Sequence, residues 1–243
     1  MILDGKVAII TGGGSGVGAA IARAFAREGA QVVIGGRREA QLRAAAAAIA
    51  APRPLRWAAL DVSDRAQVRA VVEGVAQDFG GVDILVNNAG VNIRNRRVEV
   101  LAPEDWDALM EINATGAFNM IHAVLPLMRA RREGLIISIS STSGLRPSSL
   151  GGAAYSAAKS ALAALTRVVG QEEAANGIRT SVISPGEIDT PLLAQRPTPV
   201  TDEHRARMLQ PEDVAAAALF VAGLPPRAHV PELVIMPTAQ AFV

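Results

Sequence analysis

The chain has 243 residues, of which 50% are hydrophobic but only 3% aromatic, so its core must be built mainly from aliphatic side chains. Its 24 basic and 23 acidic residues leave a formal net charge of +1, which gives no electrostatic footprint for nucleic acid or an anionic membrane surface. The absence of cysteine excludes disulfide bonds, and no apolar run approaches the roughly 20 residues of a membrane span. The start lacks the basic-then-apolar layout of a signal peptide, so we expect a cytoplasmic protein with no nucleic-acid or membrane partner.

A β-branched run at residues 6–11 predicts the first strand, and residues 19–27 have the composition of a helix. The glycine-rich turn between them contains Gly12, Ser15, Gly16, Val17 and Gly18. Strand, glycine turn and helix is the order that a phosphate site needs, because glycines let the backbone approach a pyrophosphate and a helix N-terminus presents free N–H groups. A tight loop without a ligand would carry the same glycines, and the spacing Gly-x-x-x-Gly-x-Gly differs from the common Gly-x-Gly-x-x-Gly.

The second strand is predicted at residues 29–36 and is followed by two arginines, Arg37 and Arg38. A dinucleotide-binding fold usually places an Asp or Glu here to hold the adenosine ribose hydroxyls. This chain has no carboxylate at that point, and a guanidinium can pair with a 2′-phosphate through two hydrogen bonds. The residues therefore favour NADP(H) over NAD(H), although two solvated arginines at a strand end would give the same sequence.

Helices and strands continue to alternate, with a helix at 39–50, a strand at 55–60, a helix at 64–79 and a strand at 82–86. This alternation predicts a parallel sheet with right-handed crossovers. Asp61 and Val62 follow the third strand, at the edge where ligands bind in such sheets. Asp61 could bond the adenine amino group, or Asp61 or Ser63 could cap the next helix.

The fourth strand runs into Asn88, Ala89 and Gly90, whose small and amide-bearing residues leave space and hydrogen bonds beside a flat ligand. Arg94, Arg96 and Arg97 come next, and we expect a solvated charge run there rather than substrate contacts.

A helix opens at residues 103–107 and continues through 111–128 as a mostly apolar segment that contains Asn113. An unsatisfied buried amide costs about 1–3 kcal/mol, so Asn113 is either a hydrogen-bonded core residue or part of a polar relay. His122 is interpreted as a packing residue, because no second histidine or acid stands at metal-ligand spacing. We expect no metal site.

The fifth strand, at residues 134–139, ends in a run of hydroxyl residues that includes Ser141. Tyr155 and Lys159 then stand four residues apart in an Ala-rich segment, which places both side chains on one face of a helix. A free tyrosine loses its proton only near pH ~10, but a nearby ammonium favours the phenolate and makes the phenol a usable acid or base. Taken alone, the same spacing occurs on many solvated helices.

The sixth strand is predicted at residues 178–184, and the Pro185-Gly186 turn after it offers backbone groups that could bond a carboxamide. Residues 191–209 are polar and have no steady period, which predicts a mobile lid that covers the substrate. A helix at 211–222 and a strand at 231–236 complete the chain. Without an internal repeat or a linker, residues 1–243 are expected to form a single dinucleotide-binding and catalytic domain.

Four motifs occur in one order: Thr-Gly-x-x-x-Gly-x-Gly at 11–18, Asn-Asn-Ala-Gly at 87–90, Ser141 ahead of Tyr155-x-x-x-Lys159, and Pro-Gly at 185–186. Together they resemble the short-chain dehydrogenase/reductase family, of the compact single-domain type, over nearly the whole chain. The resemblance implies a Rossmann fold, which is a doubly wound, mostly parallel seven-stranded sheet with helices on both faces. It also implies a homo-oligomer, a tetramer or a dimer, formed through the helices that hold Asn113 and Tyr155.

The resemblance also implies roles for the catalytic residues. Tyr155 would be the general acid for carbonyl reduction, or the base for alcohol oxidation. Lys159 would hold the nicotinamide ribose and lower the pKa of Tyr155, Ser141 would bond the substrate oxygen, and Asn113 would fix a water that links Lys159 to solvent.

For the cofactor, the resemblance implies that the turn from Gly12 to Gly18 holds the pyrophosphate. Asp61 and Val62 would contact the adenine, Asn88 to Gly90 the middle of the cofactor, and Ile188 with Thr190 the carboxamide.

Three departures from the family pattern stand out. Many NADP-using members carry a basic residue where Ser15 stands, so the 2′-phosphate would be held by Arg37 and Arg38 with only a hydroxyl from Ser15. Ser141 lies one residue farther from Tyr155 than in many relatives, which leaves Ser140 and Ser143 as substitutes. The tail at residues 236–243 replaces a Gly-Gly turn and resembles reductases of the 3-hydroxy acid and 3-hydroxy amino acid type; it also puts the second tetramer interface in doubt.

We therefore expect an NADP(H)-dependent oxidoreductase that interconverts a carbonyl and a secondary alcohol, such as a 3-oxo or 3-hydroxy acyl compound, an acid or another ketone. The alternatives are an NAD(H)-dependent alcohol dehydrogenase, an isomerase or dehydratase on the same fold, and a cofactor-binding sensor or scaffold without catalysis.

Overall fold

The structure is a computed structural model, and it describes residues 1–241. Phe242 and Val243, which belong to the tail discussed above, lie outside the described residues. The strands are β1 (Val7–Thr11), β2 (Gln31–Gly36), β3 (Arg56–Ala59), β4 (Ile84–Asn87), β5 (Gly134–Ile139), β6 (Ile178–Pro185) and β7 (Glu232–Ile235). The α-helices are α1 (Gly16–Arg27), α2 (Glu39–Ala48), α3 (Arg65–Phe79), α4 (Pro103–Met110), α5 (Gly116–Arg131), α6 (Thr142–Leu145), α7 (Ala153–Glu173), α8 (Asp202–Arg205) and α9 (Pro211–Gly223).

The seven strands form one sheet in the order β3-β2-β1-β4-β5-β6-β7, and every neighbouring pair is parallel. The predicted Rossmann fold, a single α/β domain with helices on both faces of a parallel sheet, is therefore confirmed. The strand order reverses between β1 and β4, and ligands in open α/β sheets bind outside the carboxyl ends of the strands at such a switch point.

Aliphatic packing covers both faces of the sheet. Every residue of β1, β4 and β5 is buried, as expected for central strands that are covered by helices on both sides. On one face, side chains of α1 and α9 such as Phe25 and Val214 join the core; on the other, side chains of α3 and α5 such as Val72 and Val124 do so. This rigid sheet fixes the loops at its carboxyl edge.

Two segments differ from their predicted form. Helices α4 and α5 are joined without a break by one turn of π-helix at Glu111–Thr115, which places Asn113 at the irregular turn. Residues 191–209 contain a 3₁₀ helix at Pro191–Gln195 and the short helix α8, which the aperiodic sequence did not predict. Within the described residues, none of the helices is both long enough and apolar enough to cross a membrane.

Candidate active site

A cleft of about 480 Å³ opens at the carboxyl edge of the sheet, beyond the ends of β1 and β4. The predicted site residues that line it are Gly12, Ser15, Gly16, Val17, Arg37, Arg38, Asp61, Val62, Asn88, Ala89, Gly90, Ser141, Tyr155, Lys159, Pro185, Gly186, Ile188 and Thr190. Two predicted residues, Gly18 and Asn113, do not line the cleft and lie behind its wall. The folded chain thus gathers segments from almost its whole length into one site.

The glycine turn is shaped by contacts that only glycine tolerates. Gly12 and Gly16 have φ angles of +65° and +51°, in the left-handed region. A Cβ on Gly18 would collide with the carbonyl oxygen of Gly12, because α1 approaches the turn closely at this residue. Gly18 therefore acts on the site through packing, by letting the N-terminus of α1 reach the turn.

The glycine turn is tied to the Asn-Asn-Ala-Gly segment by Thr11, a residue whose role the sequence analysis missed. The Thr11 hydroxyl oxygen accepts hydrogen bonds from the backbone N–H groups of Asn88 and Ala89, each at 3.0 Å. In return, Asn88 Nδ2 donates to the carbonyl oxygen of Thr11 at 2.8 Å. The sequence feature that could have indicated this role is the position of Thr11 directly before the glycine motif.

Asp61 lies at the end of the cleft that the arginines occupy, and it does not cap a helix. Its carboxylate accepts hydrogen bonds from the Ser63 backbone N–H at 3.0 Å and the Ser63 hydroxyl at 2.6 Å. These bonds, with the charge of Arg37, hold the pKa of Asp61 below its usual value. The cap of α3 is Asp64, which accepts from the N–H groups of Ala66 and Gln67, so neither alternative proposed for the cap was right.

Tyr155 and Lys159 lie at the opposite end of the cleft, one turn apart on α7. Lys159 Nζ is 5.7 Å from the centre of the Tyr155 ring and donates a hydrogen bond to the carbonyl oxygen of Ile139 at 2.8 Å. Burial lowers the pKa of Lys159 to about 8. Burial also raises the pKa of Tyr155, while a hydrogen bond between the Ser141 and Tyr155 side chains and the charge of Arg96 act in the opposite direction.

The structure distinguishes the three serines that could serve Tyr155. Ser140 is buried, and its hydroxyl donates to the carbonyl oxygen of Lys159 at 3.0 Å. Ser141 begins α6, where its hydroxyl oxygen accepts the backbone N–H of Ser143 at 3.1 Å, and it is the serine that bonds Tyr155. Ser140 therefore supports Lys159, and Ser141 shares the cleft with the phenol.

Asn113 is fully hydrogen-bonded within the protein. Its Oδ1 accepts the Val91 N–H at 3.0 Å, and its Nδ2 donates to the carbonyl oxygens of Val91 at 3.0 Å and Leu109 at 2.9 Å. A Cβ on Gly90 would lie 2.8 Å from Asn113 Oδ1 and 3.3 Å from Lys159 Nζ. Asn113 thus anchors the loop that separates it from Lys159, and only glycine fits between them.

The loop arginines do not form the uniform solvated run that we expected. Arg97 is exposed and pairs with Glu99 at 2.9 Å, and Arg94 is exposed with one hydrogen bond to the Ala194 carbonyl oxygen. Arg96, in contrast, is only 7% exposed, so the expectation was wrong for this residue. The loop is irregular and its sequence has no period that relates to exposure, so the sequence could not reveal that Arg96 is buried.

Further residues line the cleft that sequence reasoning did not single out, among them Gln41, Leu60, Asn92 and Gln195. His122 is exposed and stacks on the Phe118 ring at 5.7 Å. Within residues 1–241, no three His, Cys, Asp or Glu side chains are grouped so that they could hold a metal ion.

The sequence profile of the short-chain dehydrogenase family matches residues 6–200. The chain belongs to the short-chain dehydrogenase family. It is accordingly an NAD(P)-dependent oxidoreductase, as its family is.

Known proteins similar to this dehydrogenase agree with that assignment over more than nine-tenths of their length. A 3-oxoacyl-(acyl-carrier-protein) reductase of Thermotoga maritima is 36% identical over 228 residues, which cover 91% of this chain and 92% of the relative. A metagenomic short-chain oxidoreductase solved in complex with NADP has a TM-score of 0.85 and 32% identity, with 99% of this chain and 100% of the other covered. A 3-ketoacyl-(acyl-carrier-protein) reductase of Brucella melitensis, solved with NADH, has a TM-score of 0.88 and 33% identity, with 97% and 98% covered.

The residues of this dehydrogenase fit a nicotinamide dinucleotide. The positive-φ glycines leave the turn free of Cβ atoms at the N-terminus of α1, where backbone N–H groups attract a pyrophosphate. Arg37 and Arg38 supply cations at one end of the cleft, and the Tyr155 phenol lies at the other. The lining of the cleft is thus compatible with a dinucleotide whose phosphates lie at the glycine turn.

Proposed function

We propose that the protein is an NADP(H)-dependent oxidoreductase that interconverts a ketone and a secondary alcohol, with Tyr155 as the general acid and base. The observation that carries the proposal is the arrangement of Tyr155, Ser141 and Lys159 at one end of the dinucleotide cleft. A proton donor must lie about 3 Å from the reacting oxygen, and a phenol bonded to a serine hydroxyl forms a site for a substrate oxygen between them.

When bound, the nicotinamide supplies the hydride to the carbonyl carbon, or accepts it from the alcohol carbon in the reverse direction. Tyr155 gives its phenolic proton to the carbonyl oxygen as that oxygen gains negative charge, so a ketone becomes a secondary alcohol. Ser141 donates a hydrogen bond to the same oxygen. Lys159, charged below pH about 8, stabilises the phenolate that remains, and it regains protons lost to Tyr155 through the polar groups around Asn113.

The general-acid role predicts a clear result for Tyr155→Phe, which removes only the hydroxyl. We expect turnover to fall by about 10²- to 10⁴-fold, the range for loss of general acid catalysis, while NADPH still binds. Steady-state kinetics and NADPH fluorescence titration measure the two effects. Ser141→Ala is expected to lower turnover more than Ser143→Ala, because Ser141 is the serine that bonds the phenol. Retained turnover in Tyr155→Phe would contradict the proposal.

The preference for NADP(H) rests on Arg37 and Arg38, which line the cleft beside Asp61. A guanidinium pairs with a phosphate through charge-assisted hydrogen bonds, whereas NAD(H) has only a hydroxyl there. Similar structures contain either NADP or NADH, so the comparison by itself leaves the choice open.

Arg37→Ser tests this preference. Loss of one charge-assisted contact is expected to weaken NADPH binding by about 10- to 100-fold and to leave NADH binding nearly unchanged. Arg23→Ser is the matched control, since Arg23 is on α1 and pairs with Glu212 at 3.2 Å, away from the arginine end of the cleft. If the unmodified protein binds NADH more tightly than NADPH, the preference is reversed.

For the substrate, we propose a 3-oxo or 3-hydroxy acyl compound or acid. Two similar proteins are named as reductases of 3-oxoacyl or 3-ketoacyl groups on acyl carrier protein, and this supports the class. A screen of 3-oxoacyl thioesters, 3-hydroxy acids and simple ketones, followed by NADPH absorbance, would identify the preferred compound. Binding of NADPH without turnover of any compound would favour a sensor or scaffold instead.

We also propose that residues 191–209 act as the substrate lid and that the protein is a homo-oligomer. Pro191, Leu192 and Gln195 line the cleft, which supports the lid. Phe118 on α5 and Val168 on α7 are 42% and 49% exposed, which supports an interface on the helices that adjoin the site.

A further inference from the structure

Arg96 is a buried cation in a loop whose other arginines are exposed. Three of its N–H groups donate to backbone carbonyl oxygens: Nε to Ile93 at 2.8 Å, Nη1 to Leu150 at 2.7 Å, and Nη2 to Gln195. Within residues 1–241, every hydrogen bond found for Arg96 ends on the backbone and none on a carboxylate. Burying a charge without a counter-ion is costly, so the burial of this guanidinium calls for an explanation other than an ion pair.

The three carbonyl oxygens belong to three different loops around the catalytic end of the cleft. Ile93 is in the loop after β4, Leu150 is in the turn that leads into α7, and Gln195 is in the 3₁₀ helix of the proposed lid. The loop after β4 has a further link to each of the other two: Asn92 Nδ2 donates to the Gly151 carbonyl oxygen at 3.1 Å, and Arg94 Nη2 donates to the Ala194 carbonyl oxygen at 3.2 Å. Arg96 is the side chain that joins all three.

The contact between Arg96 and the start of α7 is close enough to exclude any other residue at Gly152. Gly152 has a φ of +83°, and a Cβ there would lie 2.6 Å from Arg96 Cβ. Because Tyr155 follows Gly152 in the first turn of α7, the position of the phenol depends on how this turn is held.

We propose that Arg96 is a positioning residue of the reaction: it fixes the turn before Tyr155 and the lid segment at Gln195 with one guanidinium, and it holds a permanent cation towards the phenol. The fixing of the turn and of the lid by Arg96 goes beyond the proposed function. Its effect on turnover rests on that proposed function. The geometry gives Arg96 two separable contributions, a hydrogen-bonding fork and a charge.

The charged groups around Tyr155 and Arg96 come from three elements. Lys159 is on the same helix, Arg96 is in the loop after β4, and Arg196, which pairs with Glu187 at 2.7 Å, lies beyond Arg96 in the lid. Because burial lowers the pKa of Lys159 to about 8, Lys159 is neutral at the alkaline pH where Tyr155 titrates. Arg96 is then the cation left to lower the pKa of the phenol. Burial and the charge of Arg196 lower the pKa of Arg96 itself, but a guanidinium stays protonated in proteins.

The charge can be tested without a substrate, because Tyr155 is the only tyrosine in the sequence. The ultraviolet absorbance of its phenolate can be followed in the full-length protein by stopped-flow pH jump, before alkaline unfolding sets in. Arg96→Met is expected to raise the pKa of Tyr155 further, whereas Arg96→Lys, which keeps a charge, is expected to restore most of the wild-type value. Arg97→Met is the matched control, since Arg97 is exposed and pairs with Glu99.

Misfolding of the Arg96→Met protein would shift the pKa of Tyr155 in the opposite direction. Unfolding exposes the phenol and moves its pKa down towards about 10, while loss of the Arg96 charge moves it up. An unchanged titration in Arg96→Met, with Arg97→Met as reference, would overturn the electrostatic contribution.

The fork is tested by hydrogen exchange. Residues 190–196 are expected to exchange several-fold faster in both Arg96→Met and Arg96→Lys than in Arg97→Met, because a lysine cannot bond three carbonyl oxygens at once. Equal exchange in all three proteins would overturn the positioning role. Neither measurement depends on turnover, so both hold even if the proposed activity is wrong.

With an active substrate in hand, the two contributions separate in kinetics. Arg96→Lys is expected to raise KM by about tenfold through the loosened lid while keeping the wild-type pH profile, and Arg96→Met is expected also to shift the alkaline limb of kcat/KM upward. Wild-type KM values in both variants would contradict the link between the lid and Arg96.

Discussion

Lys159 is the buried titratable group whose charge changes within the working pH range of an enzyme. The sequence predicted its position one turn from Tyr155, and the structure adds the cause of its perturbation, which is burial at 3% exposure beside a single acceptor, the Ile139 carbonyl oxygen. That acceptor comes from a strand twenty residues earlier, and no sequence period relates the two. Spacing along a helix is therefore predictable from sequence, whereas the environment that sets a pKa is not.

The low pKa of Lys159 predicts that NADPH binding weakens as the pH rises through about 8. If Lys159 holds the cofactor as proposed, its ammonium would donate charge-assisted hydrogen bonds below that pH, and the neutral amine would donate weaker ones above it. We expect the dissociation constant for NADPH to rise about three- to tenfold between pH 7 and pH 9.5, as measured by fluorescence titration.

Lys159→Met should remove this pH step, because the substitution removes the group whose change of charge would cause it. Lys6→Met is the control: Lys6 is the only other lysine in the sequence and pairs with Glu133 at 2.7 Å on the surface. A Lys159→Met protein that keeps the step would show that a different group titrates.

At the scale of elements, the regular segments were predictable and the irregular ones were not. The order and type of the strands and the main helices follow from alternating aliphatic runs and helical segments, and the structure agrees within a few residues. In the π-turn at Glu111–Thr115, Asn113 exchanges hydrogen bonds with the backbone of Val91 in the loop after β4, a long-range contact without a local signature. The lack of a local signature also explains why the sequence did not predict the 3₁₀ helix at Pro191–Gln195.

Helix-interior glycines give a prediction about stability. Gly74 in α3 has no atom within 4 Å of an added Cβ, so Gly74→Ala should gain helix propensity without a clash. We expect the unfolding free energy to rise by about 0.5–1 kcal/mol, which corresponds to about 1–4 °C in Tm for a chain of this size. Calorimetry or circular dichroism would measure the shift.

Gly170→Ala is the matched substitution with the opposite sign. Gly170 lies in α7 against β6, and its added Cβ would collide with the Thr180 hydroxyl, which already donates to the Thr166 carbonyl oxygen at 2.9 Å. We expect a lower Tm, as for an overpacked core. If both substitutions raised Tm, packing between α7 and β6 would not limit this position.

At the scale of the whole molecule, the sheet topology decides which predicted motifs meet. The reversal of strand order between β1 and β4 brings the glycine turn, the Asn-Asn-Ala-Gly segment and the end of β5 to one edge. The sequence predicted that these motifs share an edge, because all parallel strands end on the same side. The apolar part of the surface is less predictable, since an exposed apolar side chain on a helix looks the same in sequence as a buried one.

Four exposed apolar side chains predict how copies of the chain associate. Phe118 and Val168 lie on α5 and α7. Phe220, on α9, is 54% exposed, and Val234 lies on β7, the strand at one edge of the sheet. Because an apolar side chain in an interface gains from burial and a carboxylate there is desolvated at high cost, Phe118→Glu should dissociate the interface through α5 and α7. Phe220→Glu tests the second interface, with Val98→Glu, in an exposed loop, as control.

Light scattering coupled to size exclusion gives the mass of each species against the 25.2 kDa chain. A tetramer should fall to a dimer with Phe220→Glu alone and with Phe118→Glu alone, and to a monomer only when both are combined. A protein that is already a dimer should become a monomer with Phe118→Glu and stay a dimer with Phe220→Glu, because it lacks the second interface. A wild-type monomer would contradict the proposed assembly, and a dimer lost only with Phe220→Glu would move the interface to α9 and β7.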